Sequence, residues 1–310
     1  MEKTIFDLII IGGGPAGAAA GVYAARKRLK TIILAEVFAG QSTESAEVQN
    51  WVGTIAISGG DLAMSLRKHV EAYSDGFLTI NDERVQKLET SNGNFIATTE
   101  KSSYTSRTVL VATGSHRRKL VATGADKFEH KGLTYCASCD GPLFAGQDLA
   151  VVGGGNAAFE TAAQLLVYAK SVTIIHRSPD FHRADKITVE KVLSHPNMRA
   201  VTNVDITEVK GDKFASAIVY KDKVTGLVTE LPVGGIFIEI GQFPNTEFLK
   251  GIVNLNERNS IVIDPRTQKT SVSGIWAAGD CTDVLYHQNN IAAGDAVRAL
   301  EDIFQYLHSK

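Results

Sequence analysis

The apolar positions of the chain fall into short unbroken runs, and two of these runs lead into glycine clusters. Residues 8–11 (LIII) precede residues 12–17 (GGGPAG), and residues 149–152 (LAVV) precede residues 153–158 (GGGNAA). A stretch with a helical pattern follows each cluster. A run of four apolar residues bounded by glycine is typical of a buried strand, so each copy predicts a strand, a tight turn and a helix.

A second apolar strand is predicted after each of these helices, at residues 31–35 and 171–175. The chain therefore contains the start of a βαβ unit twice. One G-x-G-x-x-G pattern is weak evidence, and a plain tight turn is the alternative for each copy. Two copies of G-x-G-x-x-G/A, each between a strand and a helix, indicate two dinucleotide-binding folds. We predict an α/β fold class with two Rossmann-like, three-layer domains.

The segments between the repeats predict a small antiparallel β insert in each domain. Residues 77–106 contain short alternating runs broken by turn residues, which predict an antiparallel meander. Residues 200–230 predict a similar strand-rich insert, which ends at an apolar strand over residues 235–240. Residues 274–280 predict a strand that runs into a glycine turn.

The C-terminal segment predicts a helix that returns to the first domain. Its predicted apolar face holds Ile291, Ala292, Val297, Leu300, Ile303, Phe304 and Leu307. The predicted first domain comprises residues 1–115 and 247–310, and the predicted second domain, residues 116–246, is inserted within it.

Composition narrows the class of protein further. The chain has 310 residues, of which 44% are hydrophobic and 21% charged, which excludes a disordered or fibrous chain. The net charge of -2 gives no basic excess, so neither nucleic acid nor an anionic membrane is an expected partner. The apolar stretch 6–25 contains Asp7 and the glycine cluster, which predicts strand and helix instead of a signal peptide. No other stretch reaches about 18 uncharged apolar residues, so we expect no membrane span and a cytoplasmic location.

The residues at the end of each second strand predict which nucleotide each fold binds. Glu36 lies about 20 residues beyond the first glycines, where a carboxylate accepts hydrogen bonds from ribose hydroxyls and repels a 2′-phosphate. The corresponding position in the second copy holds His176 and Arg177, with Arg183 nearby. Guanidinium groups match a 2′-phosphate, so the second site is predicted to bind NADP, although Asp180 dilutes the positive field. The alternative for the arginines is a solvated surface pair.

Two of the three cysteines form a C-x-x-C motif, Cys136-Ala137-Ser138-Cys139, followed by Asp140. Cysteines at this spacing can close a small disulfide and often have depressed thiol pKa values. Asp140 is placed to move a proton to or from a thiol. A structural zinc site needs four ligands, which the single remaining cysteine does not supply, so no metal site is predicted. We interpret Cys281 as a buried structural thiol.

The order and spacing of these motifs resemble the low-molecular-weight, bacterial-type thioredoxin reductase family over essentially the whole length. The segments that carry the resemblance are residues 12–17, 40–41, 112–114, 136–140, 153–158, 176–177, 241–246 and 277–280. The resemblance implies a relay of electrons from NADPH through FAD to a Cys136–Cys139 disulfide and on to a thioredoxin-like protein. It also implies that Cys139 faces the flavin, that Cys136 attacks the substrate, that Asp140 is the acid, and that the protein is a homodimer.

The resemblance also implies which residues bind each cofactor. The FAD residues would be Gly12, Gly14, Pro15, Ala16, Gly17, Glu36, Gly40, Gln41, Asn50, Ala112, Thr113, Gly114, Gly279, Asp280, Gln288 and Asn289. The NADPH residues would be Gly153, Gly155, Asn156, Ala157, Ala158, His176, Arg177 and Arg183.

Several positions depart from that family. It usually has H-R-R where this chain has His176-Arg177-Ser178, and R-Q-A where this chain has His287-Gln288-Asn289. Local segments are more similar to the flavoprotein component of alkyl hydroperoxide reductase, which carries N-terminal thioredoxin-like domains and prefers NADH. An alternative function is therefore a stand-alone relative that uses NADH or another donor, such as ferredoxin, and reduces a peroxiredoxin-system or glutaredoxin-like partner. A third possibility is a non-catalytic pyridine-nucleotide-binding module, against which the C-x-x-C motif argues.

Overall fold

A computed structural model describes residues 4–45, 47–74 and 76–309. The strands are β1 Ile5–Gly13, β2 Thr31–Phe38, β3 Leu78–Asn81, β4 Val85–Ser91, β5 Asn94–Thr99, β6 Ser103–Val111, β7 Ser115–Arg117, β8 Leu133–Thr134, β9 Asp148–Gly153, β10 Ser171–Ile175, β11 Met198–Val201, β12 Val204–Gly211, β13 Ala215–Asp222, β14 Val228–Pro232, β15 Gly235–Glu239, β16 Gln242–Pro244 and β17 Ile275–Ala277. The α-helices are α1 Pro15–Arg26, α2 Gly59–Glu71, α3 Ala137–Asp140, α4 Asn156–Leu165, α5 Lys186–Leu193 and α6 Asn289–His308, and short 3₁₀ turns lie at Gly40–Glu44, Asp126–Phe128, Gly141–Phe144 and Glu247–Leu249.

The chain divides into two compact units. Unit 1 comprises Met1–His116 and Phe243–Lys310, and unit 2 comprises Arg117–Gln242. Each unit contains its own parallel sheet. The predicted α/β fold class with two Rossmann-like units is therefore confirmed. Within the described residues, no helix is both long and apolar enough to span a membrane.

The sheet of unit 1 has the strand order β3-β2-β1-β6-β5-β4, with β17 also beside β6. The strands β1, β2, β3, β6 and β17 are parallel, whereas β4 and β5 form an antiparallel hairpin that continues onto β6. The prediction of an antiparallel meander over residues 77–106 is therefore wrong for its first strand. Leu78 pairs with Thr31, so β3 is the outer strand of the parallel sheet.

The core of unit 1 lies on both faces of this sheet, which explains the unbroken apolar runs. Ile9 and Ile11 of β1 face one cluster, while Leu8 and Ile10 face the cluster that α1 and α6 cover. Most of the buried residues of α1 and several of α6 are alanine or glycine, which lets helices pack closely. Ile291, predicted to lie on the buried face of the C-terminal helix, is instead 36% exposed, because it lies in the first turn of α6.

The sheet of unit 2 is entirely parallel, with the strand order β11-β10-β9-β15-β8. The strands β12, β13 and β14 form a separate antiparallel sheet. The predicted insert over residues 200–230 is thus wrong for its first two residues, because Ala200 and Val201 belong to β11 and pair with β10 in the parallel sheet (Ile174 with Ala200). The strand order reverses between β9 and β15, since β10 and β11 follow on one side of β9 and β15 lies on the other. At such a switch point an open parallel sheet forms a crevice at the carboxyl ends of its strands.

Candidate functional site

The first glycine turn (residues 12–17) joins β1 to α1 and leaves open space above its backbone. Gly12 has φ +114, and a Cβ there would lie 2.2 Å from the carbonyl oxygen of Ala112. A Cβ on Gly17 would lie 1.9 Å from the carbonyl oxygen of Gly12. A Cβ on Gly14, by contrast, would meet no atom within 4 Å. The turn therefore packs tightly beneath α1 and is open at Gly14, where the helix begins and its N–H groups are available to a phosphate.

The ends of the neighbouring strands in unit 1 surround this turn. Glu36 lies on β2 with its side chain exposed, as a ribose ligand requires. Residues 112–114 follow β6, and the Ala278 N–H donates to the carbonyl oxygen of Val111 at 2.9 Å. Gly279 lies close to Ala16, since a Cβ on Gly279 would be 3.5 Å from that of Ala16. Of the predicted FAD residues, the structure thus brings those at the ends of β1, β2, β6 and β17 to one edge of the sheet.

Polar side chains join the loop after β2 to the start of α6. The Gln41 amide donates to Ser115, and the Ser42 hydroxyl donates to Asn289 Oδ1 at 3.0 Å. The Asn50 amide donates to Gln288 Oε1 at 3.2 Å. The predicted residues Gln41, Asn50, Gln288 and Asn289 are therefore held by polar contacts within unit 1.

The second glycine turn (residues 153–158) joins β9 to α4 and repeats the same construction. Gly153 has φ +152, and a Cβ there would lie 2.3 Å from the carbonyl oxygen of Glu239. A Cβ on Gly155 would meet no atom within 4 Å. Asn156 and Ala157, which follow it, are both exposed. Ala158 is fully buried against the sheet, as expected of the third position of the fingerprint. The backbone is again open where the helix starts.

The loop after β10 lies beside this second turn. A Cβ on Gly154 would lie 2.3 Å from Nδ1 of His176, so the imidazole packs on the turn, and its burial lowers the pKa of His176. The Asp185 N–H donates to Asn156 Oδ1 at 2.8 Å, which holds the far end of the loop close to α4. Arg177 and Arg183 are both exposed between these two attachments.

The two cysteines of the C-x-x-C motif form a disulfide in unit 2. Cys136 immediately precedes α3 and Cys139 lies within it, with 5.3 Å between their Cα atoms. The Cys139 N–H donates to Cys136 Sγ at 3.1 Å. Cys136 and Cys139 are both half-buried, so the sulfur pair is not sealed within the core.

Asp140 follows the disulfide and lies in a largely buried position. Burial raises the pKa of the Asp140 carboxyl, while a hydrogen bond donated by the Thr134 hydroxyl and the nearby charges of His130 and Arg117 act in the opposite direction. A carboxyl whose pKa is raised retains a proton at higher pH than an ordinary aspartate. A carboxyl able to supply a proton therefore follows the redox pair directly in the sequence.

Three residues of this region were not predicted from the sequence: Thr134, Arg117 and Glu239. Thr134 positions Asp140. Glu239 ends β15, receives a 2.8 Å hydrogen bond from the Thr161 hydroxyl, and lies 3.8 Å from the Arg117 guanidinium. Burial raises the pKa of Glu239 to about 6. A carboxylate near the end of an otherwise apolar predicted strand was the available signal for Glu239.

The remaining cysteine, Cys281, is fully buried, as predicted. Its thiol lies 3.5 Å from the carbonyl oxygen of Ala278 and 3.6 Å from that of Val111. Burial raises its pKa to about 11, which keeps it protonated and unreactive.

Both glycine turns fit a dinucleotide. A Cβ at Gly14 or at Gly155 would meet no protein atom within 4 Å, so the space above these two residues is available to a ligand. Each open position lies at a helix N-terminus after a parallel strand, which is where a pyrophosphate binds.

Comparisons with known proteins agree with this geometry. The chain is 37% identical over 306 residues to the protein of Bacillus subtilis (strain 168) named NADH dehydrogenase, and 38% identical over 309 residues to the F component of alkyl hydroperoxide reductase from Xanthomonas campestris pv. phaseoli. These matches cover 99% and 98% of this chain but only 59% and 58% of the relatives, so the chain spans about three-fifths of their length.

The fold also matches a solved structure along its full length. The crystal structure of thioredoxin reductase from Streptococcus pyogenes MGAS5005 superposes with a TM-score of 0.92 at 33% identity and covers 100% of both chains. The resemblance to thioredoxin reductases and to the alkyl hydroperoxide reductase flavoprotein is therefore confirmed.

The family model for pyridine nucleotide-disulphide oxidoreductases matches residues 6–296, which is nearly the whole chain. Membership of this family implies FAD and a pyridine nucleotide, in agreement with the two glycine turns. The chain belongs to the pyridine nucleotide-disulphide oxidoreductase family.

Proposed function

We propose that the protein is an NADPH-dependent flavoprotein disulfide reductase whose substrate is the disulfide of a thioredoxin-like protein. The overall reaction converts NADPH, a proton and the partner disulfide into NADP⁺ and the partner dithiol. FAD, when bound, supplies the two-electron chemistry between nucleotide and disulfide. The observation that carries the proposal is the Cys136–Cys139 disulfide, followed directly in the sequence by the largely buried carboxyl of Asp140, in the unit that contains the second glycine turn.

The residues of the disulfide region have separate roles in the proposed reduction. In the proposed assignment, Cys139 receives electrons from the flavin side and Cys136 attacks the partner disulfide. Asp140 gives a proton to the sulfur that leaves as a thiolate, and its raised pKa suits that role. Thr134 holds the Asp140 carboxyl in place by its hydrogen bond.

We propose that the first glycine turn and its surrounding polar residues bind FAD. Gly12 and Gly17 set the shape of the turn, and Gly14 leaves room for the pyrophosphate. Glu36 accepts hydrogen bonds from ribose hydroxyls. The polar side chains between the loop after β2 and the start of α6 would hold the remainder of the cofactor; they are Gln41, Asn50, Gln288 and Asn289.

The charges around the second glycine turn support NADPH as the nucleotide. Residues 176–179, which follow β10 directly, include no carboxylate to repel a 2′-phosphate, and Arg177 and Arg183 are exposed in this loop. Asp180 lies 2.5 Å from Nδ1 of His182, and this contact lowers the pKa of Asp180. The Asp180 carboxylate is thus engaged with His182, while Arg177 and Arg183 supply two positive charges in this loop.

A second candidate is an NADH-fed reductase of a peroxiredoxin-type or glutaredoxin-like partner. The names of the relatives favour it, because one is an NADH dehydrogenase and another is a component of alkyl hydroperoxide reductase. The exposed Asp180 near the strand end is the structural feature in its favour.

The reductase proposal is tested anaerobically with the FAD-loaded protein. Adding NADPH should bleach the flavin absorbance and raise the number of free thiols by two, as the Cys136–Cys139 disulfide opens. Cys139→Ser should abolish reduction of a thioredoxin-like partner while flavin bleaching continues. Bleaching without new thiols, or partner reduction by Cys139→Ser, would contradict the proposal.

The choice of nucleotide is tested by stopped-flow bleaching with NADPH and with NADH. We expect NADPH to be preferred and the double substitution Arg177→Ala, Arg183→Ala to remove about ten-fold or more of that preference, because each guanidinium pairs with the 2′-phosphate. Arg199→Ala is the matched control, since Arg199 is an exposed arginine of the same unit on β11. A preference for NADH that the double substitution leaves unchanged would favour the second candidate.

The homodimer implied by the resemblance also stays a proposal. Sedimentation equilibrium of the FAD-loaded protein should give twice the chain mass of 33.3 kDa. A single-chain mass at micromolar concentration would contradict it.

A further inference from the structure

Glu239 occupies the position in unit 2 where the connections of the parallel sheet diverge. It is the last residue of β15 and pairs in register with Gly153, the first residue of the second glycine turn. Its carbonyl oxygen lies so close to that turn that a Cβ on Gly153 would approach it to 2.3 Å. An ionisable residue therefore lies directly against the backbone that is proposed to bind the nucleotide.

The Glu239 carboxyl is almost enclosed by protein, with its side chain 12% exposed. The Thr161 hydroxyl of α4 donates to Oε1 at 2.8 Å, and the Arg117 guanidinium lies 3.8 Å from Oε2. Among the described residues, the other charge that acts on it is Glu160 of α4, which opposes ionisation. One cation and one hydroxyl thus support the ionised form, while burial and Glu160 oppose it.

The carboxyl is also near the start of α4. Thr161 lies five residues beyond Asn156, which begins the helix, so the residue that contacts the carboxyl lies about 7.5 Å along the axis from the helix N-terminus at 1.5 Å per residue. A pyrophosphate at that N-terminus would lie at a distance from the carboxyl that is comparable to the Debye length, about 8 Å at physiological salt. Like charges at such a distance in a partly buried site disfavour each other's ionised forms.

We propose that Glu239 is a proton-binding residue of the second nucleotide site and that binding of the nucleotide pyrophosphate is accompanied by proton uptake at the Glu239 carboxyl. The inference rests on the proposed binding of a pyridine nucleotide at the second glycine turn, and it holds for NADPH and NADH alike because both carry the pyrophosphate.

The charges of the bound anion and of the Glu239 carboxyl determine how nucleotide affinity changes with pH. Bound anion favours protonated Glu239, so the site binds nucleotide most tightly when the carboxyl is already neutral. Affinity therefore falls as the pH rises through the pKa of Glu239, which is about 6 in the free protein, and levels off once the carboxyl is ionised in both states. Each unit by which the anion raises that pKa corresponds to about a ten-fold loss of affinity across this range.

The experiment is titration calorimetry of the FAD-loaded protein with NADP⁺ and, separately, with NAD⁺, in buffers of different ionisation enthalpy. We expect the wild-type protein to take up about half a proton more than Glu239→Gln on binding near pH 6.5. Between about pH 5.5 and about pH 8 its affinity should fall about three- to ten-fold more than that of Glu239→Gln. The comparison removes contributions from the nucleotide and from His176 and His182, which are the same in both proteins.

Two further variants isolate the carboxyl. Glu190→Gln changes an exposed glutamate of the same unit, on α5, and should keep the proton uptake. Thr161→Val removes the hydroxyl that supports the ionised form, so it should move the uptake to higher pH. The second variant also decides the question if Glu239→Gln does not fold.

The outcomes separate this inference from the proposed function. Equal proton uptake by wild type and Glu239→Gln, together with an unshifted profile for Thr161→Val, would overturn the role of Glu239 and leave the proposed function standing. Binding of neither nucleotide would overturn both.

Discussion

At the residue scale, opposing effects act on the carboxyl of Asp140 and set when it holds a proton. Burial favours the neutral form, whereas the Thr134 hydroxyl donates to the carboxylate and favours the charged form. The motif C-x-x-C-D was readable in the sequence, but its partner Thr134 was not, because the hydrogen bond depends on the path of the chain between β8 and α3.

Thr134→Val tests this balance while keeping the shape of the side chain. Loss of the donated hydrogen bond raises the pKa of Asp140 further, so the decline of disulfide turnover with rising pH should move to higher pH. Asp140→Asn should lower turnover roughly 10²-fold or more at every pH. The check is the pH dependence of partner reduction, with Thr134→Ser, which retains a hydroxyl, expected to behave as wild type. A profile unchanged in Thr134→Val would contradict the positioning role.

Glu239 gives a prediction about stability. Its pKa is about 6 in the folded protein against an ordinary value of 4.5, so the folded state holds the proton more tightly than the unfolded state. The stability that the neutral carboxyl contributes is full below about pH 4.5 and is lost as the pH rises through about 6, by about 2 kcal/mol in all.

Glu239→Gln should therefore unfold at a temperature about 2–4 °C above wild type at pH 8, with a smaller difference at pH 5. Thermal unfolding of the ligand-free protein at both values measures this. Glu190→Gln is the control, because Glu190 is an exposed carboxyl on α5 with little desolvation to relieve. A difference that does not change with pH would be at odds with the assignment.

At the scale of elements, each glycine turn contains one position that has room for a side chain and another that has none. Gly17 carries the packing of α1 on β1, since a Cβ there would lie 1.9 Å from a backbone oxygen. Gly14 carries none, because a Cβ there would meet no atom within 4 Å. The two glycines are equivalent in a sequence pattern, and the surrounding atoms distinguish them.

Gly14→Ala should fold normally and bind FAD about ten-fold more weakly or worse, because the added methyl group occupies the space proposed for the pyrophosphate. Gly155→Ala should do the same for the pyridine nucleotide without loss of flavin. Flavin absorbance per chain and calorimetric nucleotide affinity are the measurements. Gly17→Ala is the contrasting variant, expected to lose about 1–3 kcal/mol or more of stability. Full cofactor affinity in both open-site variants would contradict the assignment of these turns.

At the scale of the whole molecule, the points where the chain enters and leaves each unit are joined by hydrogen bonds within that unit. In unit 2 the Arg118 N–H donates to the carbonyl oxygen of Gly241 at 2.9 Å. In unit 1 the Asn245 N–H donates to the carbonyl oxygen of Gly114 at 3.0 Å, and the Asn245 amide donates to that of Thr113 at 2.9 Å. Insertion of one unit into the other therefore leaves each with closely spaced ends.

We expect unit 2, residues 117–242, to fold alone as a monomer that binds pyridine nucleotide and carries the disulfide. Residues 1–116 joined to residues 243–310 by a short Gly-Ser linker should fold separately and bind FAD, because the linker spans neighbouring ends. Circular dichroism and flavin absorbance of the two purified pieces provide the check. A colourless unit 1 piece that folds, or a yellow unit 2 piece, would reverse the proposed cofactor assignment.

Local patterns were enough to predict the α/β class, the two glycine turns, the redox pair and the buried Cys281, because unbroken apolar runs, glycine spacing and a three-residue separation of thiols are visible along the chain. They misassigned β3 and β11 to the antiparallel inserts, since a short half-buried strand carries no local mark of the direction of its partner. Contacts across long separations, such as those of Glu239 with Gly153, Thr161 and Arg117, became known from the folded chain alone. The raised pKa values of Asp140 and Glu239 follow from burial, because desolvation depends on what the whole fold places around a carboxyl.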